Sequence, residues 1–189
     1  MSKIASPIIQ AKVSSPVGLL SLKASVNGLT HLQVDDLLQT HTDVAIESMA
    51  NLALDQHDDV LRSAAKRHIE MTSQQLAEYF AGKRKQFDVT LAPKGTEFQQ
   101  LVWHALGEMA FGERCSYSDI ANVIGRPKAV RAVGAANGAN PIAIIVPCHR
   151  VIGKGGKLTG YAYGLNMKQW LLRQDKLVGL GNIYVCEIL

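Results

Sequence analysis

The 189-residue chain has no apolar run approaching the roughly 20 residues that cross a bilayer. Its opening stretch, MSKIASPIIQAKVSS, lacks a signal-peptide core with a small-residue cleavage site. Both absences point to a cytoplasmic protein. Cysteine is scarce: Cys115, Cys148 and Cys186 are odd in number, widely spaced and without a C-x-x-C pair. That excludes a disulfide framework and a four-cysteine zinc site, and no other metal or cofactor motif stands out. Internal repeats and low-complexity tracts are also missing. Acid is depleted in the C-terminal half. Residues 126–176 hold nine Lys/Arg and a single acidic residue, Asp175.

What is present is a composition able to bury a core, with 47% apolar and 19% charged residues. The charge is unevenly spread. Residues 1–92 carry 9 Lys/Arg against 10 Asp/Glu, net −1, and residues 93–189 carry 11 against 6, net +5. A basic C-terminal half is either a solvated face or the electrostatic footprint of a nucleic-acid binder.

The first third alternates short β-type runs, IIQAKV, GLLSLKA and LTHLQV, with turn signals at Pro16 and Asn27-Gly28, predicting an antiparallel sheet. Residues 35–59 read as a loop or a marginal helix. Apolar residues at helical spacing predict a helix over 60–80, stopped by Gly82, and KQFDVTL reads as a strand. The Pro93-Lys94-Gly95 punctuation then divides the chain into domains 1–92 and 93–189.

Beyond it the pattern changes to short capped helices. Thr96 and Gln99 have capping-box spacing before a helix ending near Gly112, Ser118 is placed to cap DIANVI, and Pro127 to open a helix through KAVRAVGAANG. Two short helices around a glycine turn make a helix-turn-helix candidate. The second is rich in small residues, including Ala132, Gly134 and Ala135. Interior glycine costs about 1 kcal/mol relative to alanine, so close approach to another surface or tight helix packing would each account for them. IAIIV reads as a buried strand ending at Pro147, GKGGKLTG as a basic turn, and Asn166 as the cap of a last helix.

Cys148 follows Pro147 and precedes His149 and Arg150. A buried structural thiol is the commonest state of a free cysteine. A neighbouring base or positive charge favours the nucleophilic thiolate, so an activated thiol is the alternative. A histidine acting as base is usually oriented by a carboxylate, and Asp175 is the isolated acid of this segment.

RAVGAANGANPIAIIVPCHRVIG, LTGYA and WLLRQD together resemble the O6-alkylguanine-DNA alkyltransferases, densely from Thr96 to Asp175. LAEYFAGKRKQFDVTL is the best match in the N-terminal half. The resemblance implies an α+β protein with an N-terminal ribonuclease-H-like α/β domain and a C-terminal helical, winged-helix-like DNA-binding domain. It implies Cys148 as alkyl acceptor and His149 as acceptor of the thiol proton through a water. Asp175 would be the supporting carboxylate, and Asn140 would tie the recognition helix to the cysteine turn. Arg131 would enter the base stack, Tyr117 would press on the adjacent phosphate, and the helix bearing Ala132, Gly134 and Ala135 would enter the minor groove. Val151, Tyr161, Ala162 and Tyr163 would line the guanine pocket. The implied activity is repair of O6-methylguanine in double-stranded DNA, with O4-methylthymine as a second candidate, by a monomer without cofactor or metal, acting once.

Three departures stand out, the first being that the N-terminal half has no cysteine, so a Cys/His zinc site of the sort carried by some members of the family is not expected. The family's glutamate is here Asp175, one methylene shorter, which predicts a weakened or water-extended relay. Tyr163 replaces a glycine, which predicts a narrowed pocket. A lesion binder without transfer, a helix-turn-helix regulator and a multiple-turnover cysteine hydrolase are the rival classes. The acceptor cysteine argues against the first, and sequence-specific binding or repeated turnover would mark the others.

Overall fold

A computed structural model describes residues 8–35 and 56–179. Segment 36–55 and Cys186 lie outside those residues. The chain forms two compact units. One comprises the described residues up to 77 together with 88–94, the other residues 78–87 with those from 95 onward. A cut at 92 thus differs from the observed division, because the end of the long helix and the turn after it belong with the C-terminal unit.

In the first unit, strands β1 (Ile9–Ser15), β2 (Gly18–Ser25) and β3 (Gly28–Val34) make an antiparallel sheet in sequence order. Leu20, Leu22 and Ala24 alternate along β2 with no exposure, the period-two burial of a sheet with one covered face. Helix α1 (Gln56–Phe80) buries Ala65, Ile69, Thr72, Leu76 and Tyr79, spaced three and four apart. It stops where Gly82, at φ 75°, lets its own N–H reach the Tyr79 carbonyl and the Lys83 N–H reach that of Glu78.

KQFDVTL is not a ladder strand. Its end is tied to β3 by one parallel bridge, Leu29 with Leu91, and the Gln75 amide clamps the Asp88 backbone at 2.9 and 2.7 Å. Gly28 is obligatory beside it, since a Cβ there would lie 2.5 Å from the Thr90 carbonyl oxygen.

In the second unit, α2 (Glu97–Gly107) starts in the expected Thr96–Gln99 capping box but ends at Gly107, short of Gly112. Helix α3 (Tyr117–Val123) follows the two-residue strand β4 (Cys115–Ser116) and is capped by Ser116, whose hydroxyl accepts from Asp119 N–H; Ser118 lies inside it. Helix α4 (Val130–Gly138) begins three residues after Pro127, which sits in a turn. The three helices pack on one another, with Val102, Leu106, Ile120 and Val133 buried. Trp103 locks α2 to α4 by donating its indole N–H to the Ala136 carbonyl at 2.8 Å.

IAIIV is a coiled turn, not a strand. Its apolar run reflects burial alone, because Ile142, Ala143, Ile144 and Val146 are all covered. Ile144 has φ 71°, a conformation that strains a β-branched residue. The Asn140 side chain holds this turn by donating to Val146 O at 2.8 Å and Ile142 O at 3.3 Å while accepting from Ile142 N–H. The chain then makes a 3-10 turn, Cys148–Arg150, and strand β5 (Val151–Ile152), parallel to β4. The GKGGKLTG segment contains a second 3-10 turn, Lys154–Gly156. Helix α5 (Leu165–Gly179) already includes Asn166, so that residue is not its cap, and it packs on the cysteine turn.

Candidate functional site

The strained turn delivers Cys148 to the floor of a cavity of about 190 Å³ lined by Tyr117, Gly134, Asn137, Tyr161 and Tyr163 among others. Gly138, Asn140, Gly160 and Ala162 complete the lining. The thiol is 5% exposed. Burial pushes its pKa up, and the Asn140 amide, the Lys168 ammonium and the turn's backbone N–H groups pull against that.

Behind the thiol lies a closed polar cluster. His149 has no exposure, and its Nε2 lies 3.2 Å from Asp175 Oδ2. With Nε2 donating to the carboxylate, Nδ1 is left as the basic nitrogen, and it is buried with no partner. Burial lowers the His149 pKa, Asp175 raises it, and Arg150 and Lys168 lower it further. The imidazole is therefore neutral near pH 7, the state required of a base.

Asp175 is fully committed. Oδ2 also accepts from Arg150 Nε at 2.7 Å, and Oδ1 accepts from Tyr79 Oη at 2.9 Å and Arg150 Nη2 at 3.4 Å. Burial alone would raise its pKa, but the bonds from His149 and Arg150 hold the carboxyl well below the usual range. The shorter acid thus reaches His149 directly, so the expected water extension does not occur. Arg150 stacks 5.1 Å over the Phe111 ring and serves the carboxylate rather than the thiol.

The cation coupled to Cys148 is Lys168, which sequence reasoning missed. Its ammonium is wholly buried and donates to the carbonyls of Val151, Thr159 and Gly160 at 2.6, 2.7 and 3.3 Å. Three acceptors use all three of its protons. Residues 168, 171, 172 and 175 form one buried stripe on α5, and a lysine on that stripe was the available signal. Asn137 was missed as well. It is 4% exposed, and its amide lies 3.5 Å from the Cys148 carbonyl.

Cys148, Asn140, Tyr117, Gly134, Tyr161, Ala162 and Tyr163 are therefore brought together at the cavity, with His149 and Asp175 behind them. Val151 contributes its carbonyl to Lys168 and is buried. Arg131, Ala132 and Ala135 lie outside the cavity, on the exposed face of α4. Gly134 is not packed tightly, since a Cβ there would sit an ordinary 3.8 Å from Tyr117. Cys115 is a different kind of thiol: burial and then Asp119 and Glu113 push it up to about 11. No group of three metal-ligating side chains exists among the described residues.

Residues 97–177 match the family described as 6-O-methylguanine DNA methyltransferase, DNA binding domain. A methylated-DNA–protein-cysteine methyltransferase of Methanosarcina barkeri is 44% identical over 164 residues, covering 87% of this chain and 94% of that protein. The Methanosarcina acetivorans protein of the same name is 65% identical over 103 residues, 54% of this chain and 66% of its own length. Among solved structures, the O6-methylguanine methyltransferase of Mycobacterium tuberculosis superposes with TM-score 0.69 at 42% identity, covering 89% of this chain and 93% of that one. A structure of the Mycobacterium tuberculosis OGT in complex with DNA gives 0.70 at 45% identity over 88% and 92%.

Proposed function

The chain belongs to the methylated-DNA–protein-cysteine methyltransferase family, enzymes that move an alkyl group from DNA to a protein cysteine, and on that premise we propose that Cys148 accepts the methyl group of O6-methylguanine. The observation that carries this assignment is a cysteine lining a cavity and followed in the chain by a neutral histidine whose Nε2 is held by a buried carboxylate.

The O6 atom of guanine is enclosed in duplex DNA, so the base must leave the stack, at a cost of a few kcal/mol that is least for a poorly paired base. Arg131, exposed on α4, is placed to fill the gap, and the small exposed residues Ala132 and Ala135 allow that helix into the minor groove. Basic residues of the C-terminal half hold phosphates without reading sequence. Tyr117 presses on the phosphate beside the flipped nucleotide, and Asn137, Tyr161, Ala162 and Tyr163 enclose the base. O6-methylguanine is the principal substrate and O4-methylthymine the secondary candidate.

His149 Nδ1 takes the thiol proton, directly or through one water, and Asp175 stabilises the imidazolium. The sulfur attacks the methyl carbon, the S–C bond forms as the C–O6 bond breaks, and the electron pair stays with guanine, which takes up a proton. Lys168 offsets the thiolate charge while that happens. A thioether is a poor leaving group, so each molecule acts once. The protein works as a cytoplasmic monomer, its N-terminal sheet and helix being part of a ribonuclease-H-like domain and α2–α4 with β4 and β5 part of a winged-helix-like one.

Intact and peptide mass spectrometry after mixing with excess duplex carrying one O6-methylguanine tests this. One added methyl on Cys148, absent from Cys148→Ala, is expected. Lesion binding without a mass change overturns transfer and leaves a binder.

A further inference from the structure

The polar cluster contains a group for which the proposed transfer has no use, the hydroxyl of Tyr79. Tyr79 is 1% exposed and sits in the last turn of α1, and its Oη donates to Asp175 Oδ1 at 2.9 Å. Burial and then the Asp175 charge raise its pKa, so it stays a phenol and a donor.

Two residues of the LLRQD run, Gln174 and Asp175, both contact this turn. Gln174 donates from Nε2 to the Tyr79 and Phe80 carbonyls, both at 3.1 Å, tying the end of the helix to α5. Asp175 receives the hydroxyl. Aromatic packing fixes the same turn, with Phe80 against Trp170 at 6.0 Å and Tyr79 against Phe87 at 5.5 Å.

We propose that Tyr79 is a positioning residue for the alkyl-transfer relay, holding the short Asp175 carboxylate in line with His149, with Gln174 anchoring the helix turn that presents it. The reasoning is geometric. An aspartate places its oxygens closer to its own helix than a glutamate, so it needs a fixed orientation to serve His149 and Arg150 together. Arg150 alone leaves Oδ1 with one long contact of 3.4 Å. The tyrosine supplies the short one and stops the carboxylate from rotating about its terminal bond. Because the hydroxyl also withdraws charge from the carboxylate, it holds the His149 pKa down.

The inference rests on Cys148 being the acceptor. The test is the methyl-transfer rate of wild type, Tyr79→Phe, Asp175→Asn and the double variant at saturating O6-methylguanine duplex, with thermal melts and DNA affinity alongside. Removing a hydrogen bond to a charged group predicts a loss of about tenfold for Tyr79→Phe, with DNA affinity unchanged. The rising limb of its pH–rate profile moves to higher pH, because the freed carboxylate makes His149 more basic. In the Asp175→Asn background the tyrosine change has no further effect, since the carboxylate it positions is gone. Equal losses in both backgrounds, or a full-rate Tyr79→Phe with an unmoved profile, overturn the proposal while wild-type transfer stands. No methyl on wild-type Cys148 removes both readings.

Discussion

Replacing Lys168 by methionine keeps most of the apolar stem and removes the ammonium. The wild-type group makes bonds of 2.6, 2.7 and 3.3 Å to three carbonyls that come from β5 and from the segment before Tyr161. It is therefore the pin that holds the rim of the cavity against the turn carrying Cys148. Each charge-assisted bond is worth about 1.5–3 kcal/mol, and the cost of burying the ammonium, several kcal/mol, disappears with it. The difference leaves a destabilisation of about 3 kcal/mol, which for a chain of this size lowers Tm by about 6–12 °C.

The chemical effect has its own sign. Lys168 lowers the Cys148 pKa against the dominant effect of burial, so its removal raises the thiol further and reduces the thiolate fraction at any pH. Iodoacetamide labelling of Cys148, followed by peptide mass spectrometry across about pH 7 to 10, should show a slower rate and a curve displaced to higher pH. Methyl transfer should fall with it. A melting temperature within about 2 °C of wild type, together with an unchanged labelling curve, would refute the assignment of Lys168 as both pin and counter-charge.

Three further outcomes can be checked. His149 titrates below its ordinary value of 6.5 because it is buried, so the unfolded chain binds its proton first. Stability is then complete above 6.5 and is lost as pH falls below it. The drop in urea midpoint from about pH 7 to pH 5 should accordingly shrink in His149→Gln. Arg131→Ala should slow transfer from duplex DNA far more than transfer from free O6-methylguanine base, and equal losses would count against a role in base extrusion. Tyr163 packs edge-on against Tyr161 with centroids 5.5 Å apart beside a 190 Å³ cavity. Tyr163→Gly should raise the rate with O6-benzylguanine more than with the methyl substrate, whereas unchanged relative rates would remove the steric role.

The three strands, the long helix and the capping box of α2 were legible because period-two burial, three-four spacing and Thr-x-x-Gln each have one structural solution. IAIIV was misread because an apolar run records burial and not conformation. The Asn140 bonds to Val146 and Ile142 and the φ of 71° at Ile144 reveal that it coils. The Ser118 start failed because Ser116 forms the reciprocal capping box with Asp119, and the Pro127 start failed because that residue sits in a turn, α4 beginning at Val130 with no side-chain cap. The cavity residues were found through motif resemblance. Lys168, Asn137 and Tyr79 were not: the lysine on the buried stripe of α5 was an available signal, whereas the Tyr79 hydroxyl looks ordinary until Asp175, 96 residues away, is known as its partner.

The charges around the cysteine explain how a poorly ionised thiol can be a nucleophile. Arg150 and Lys168 supply two buried positive charges and Asp175 one negative charge, while His149 is neutral, so the resting site carries a net positive charge. Moving the proton from Cys148 to His149 leaves that sum unchanged. The Lys168 charge favours the thiolate, and Asp175, bonded to His149, favours the imidazolium. The bonds from His149 and Arg150 keep Asp175 ionised even though the carboxylate is almost fully covered. Fixed counter-charges of this kind need no reorientation at the moment of reaction, which is what makes them effective in a site from which water is excluded. Burial, which opposes thiolate formation at rest, thus also strengthens the interactions that stabilise the thiolate once the proton has a place to go.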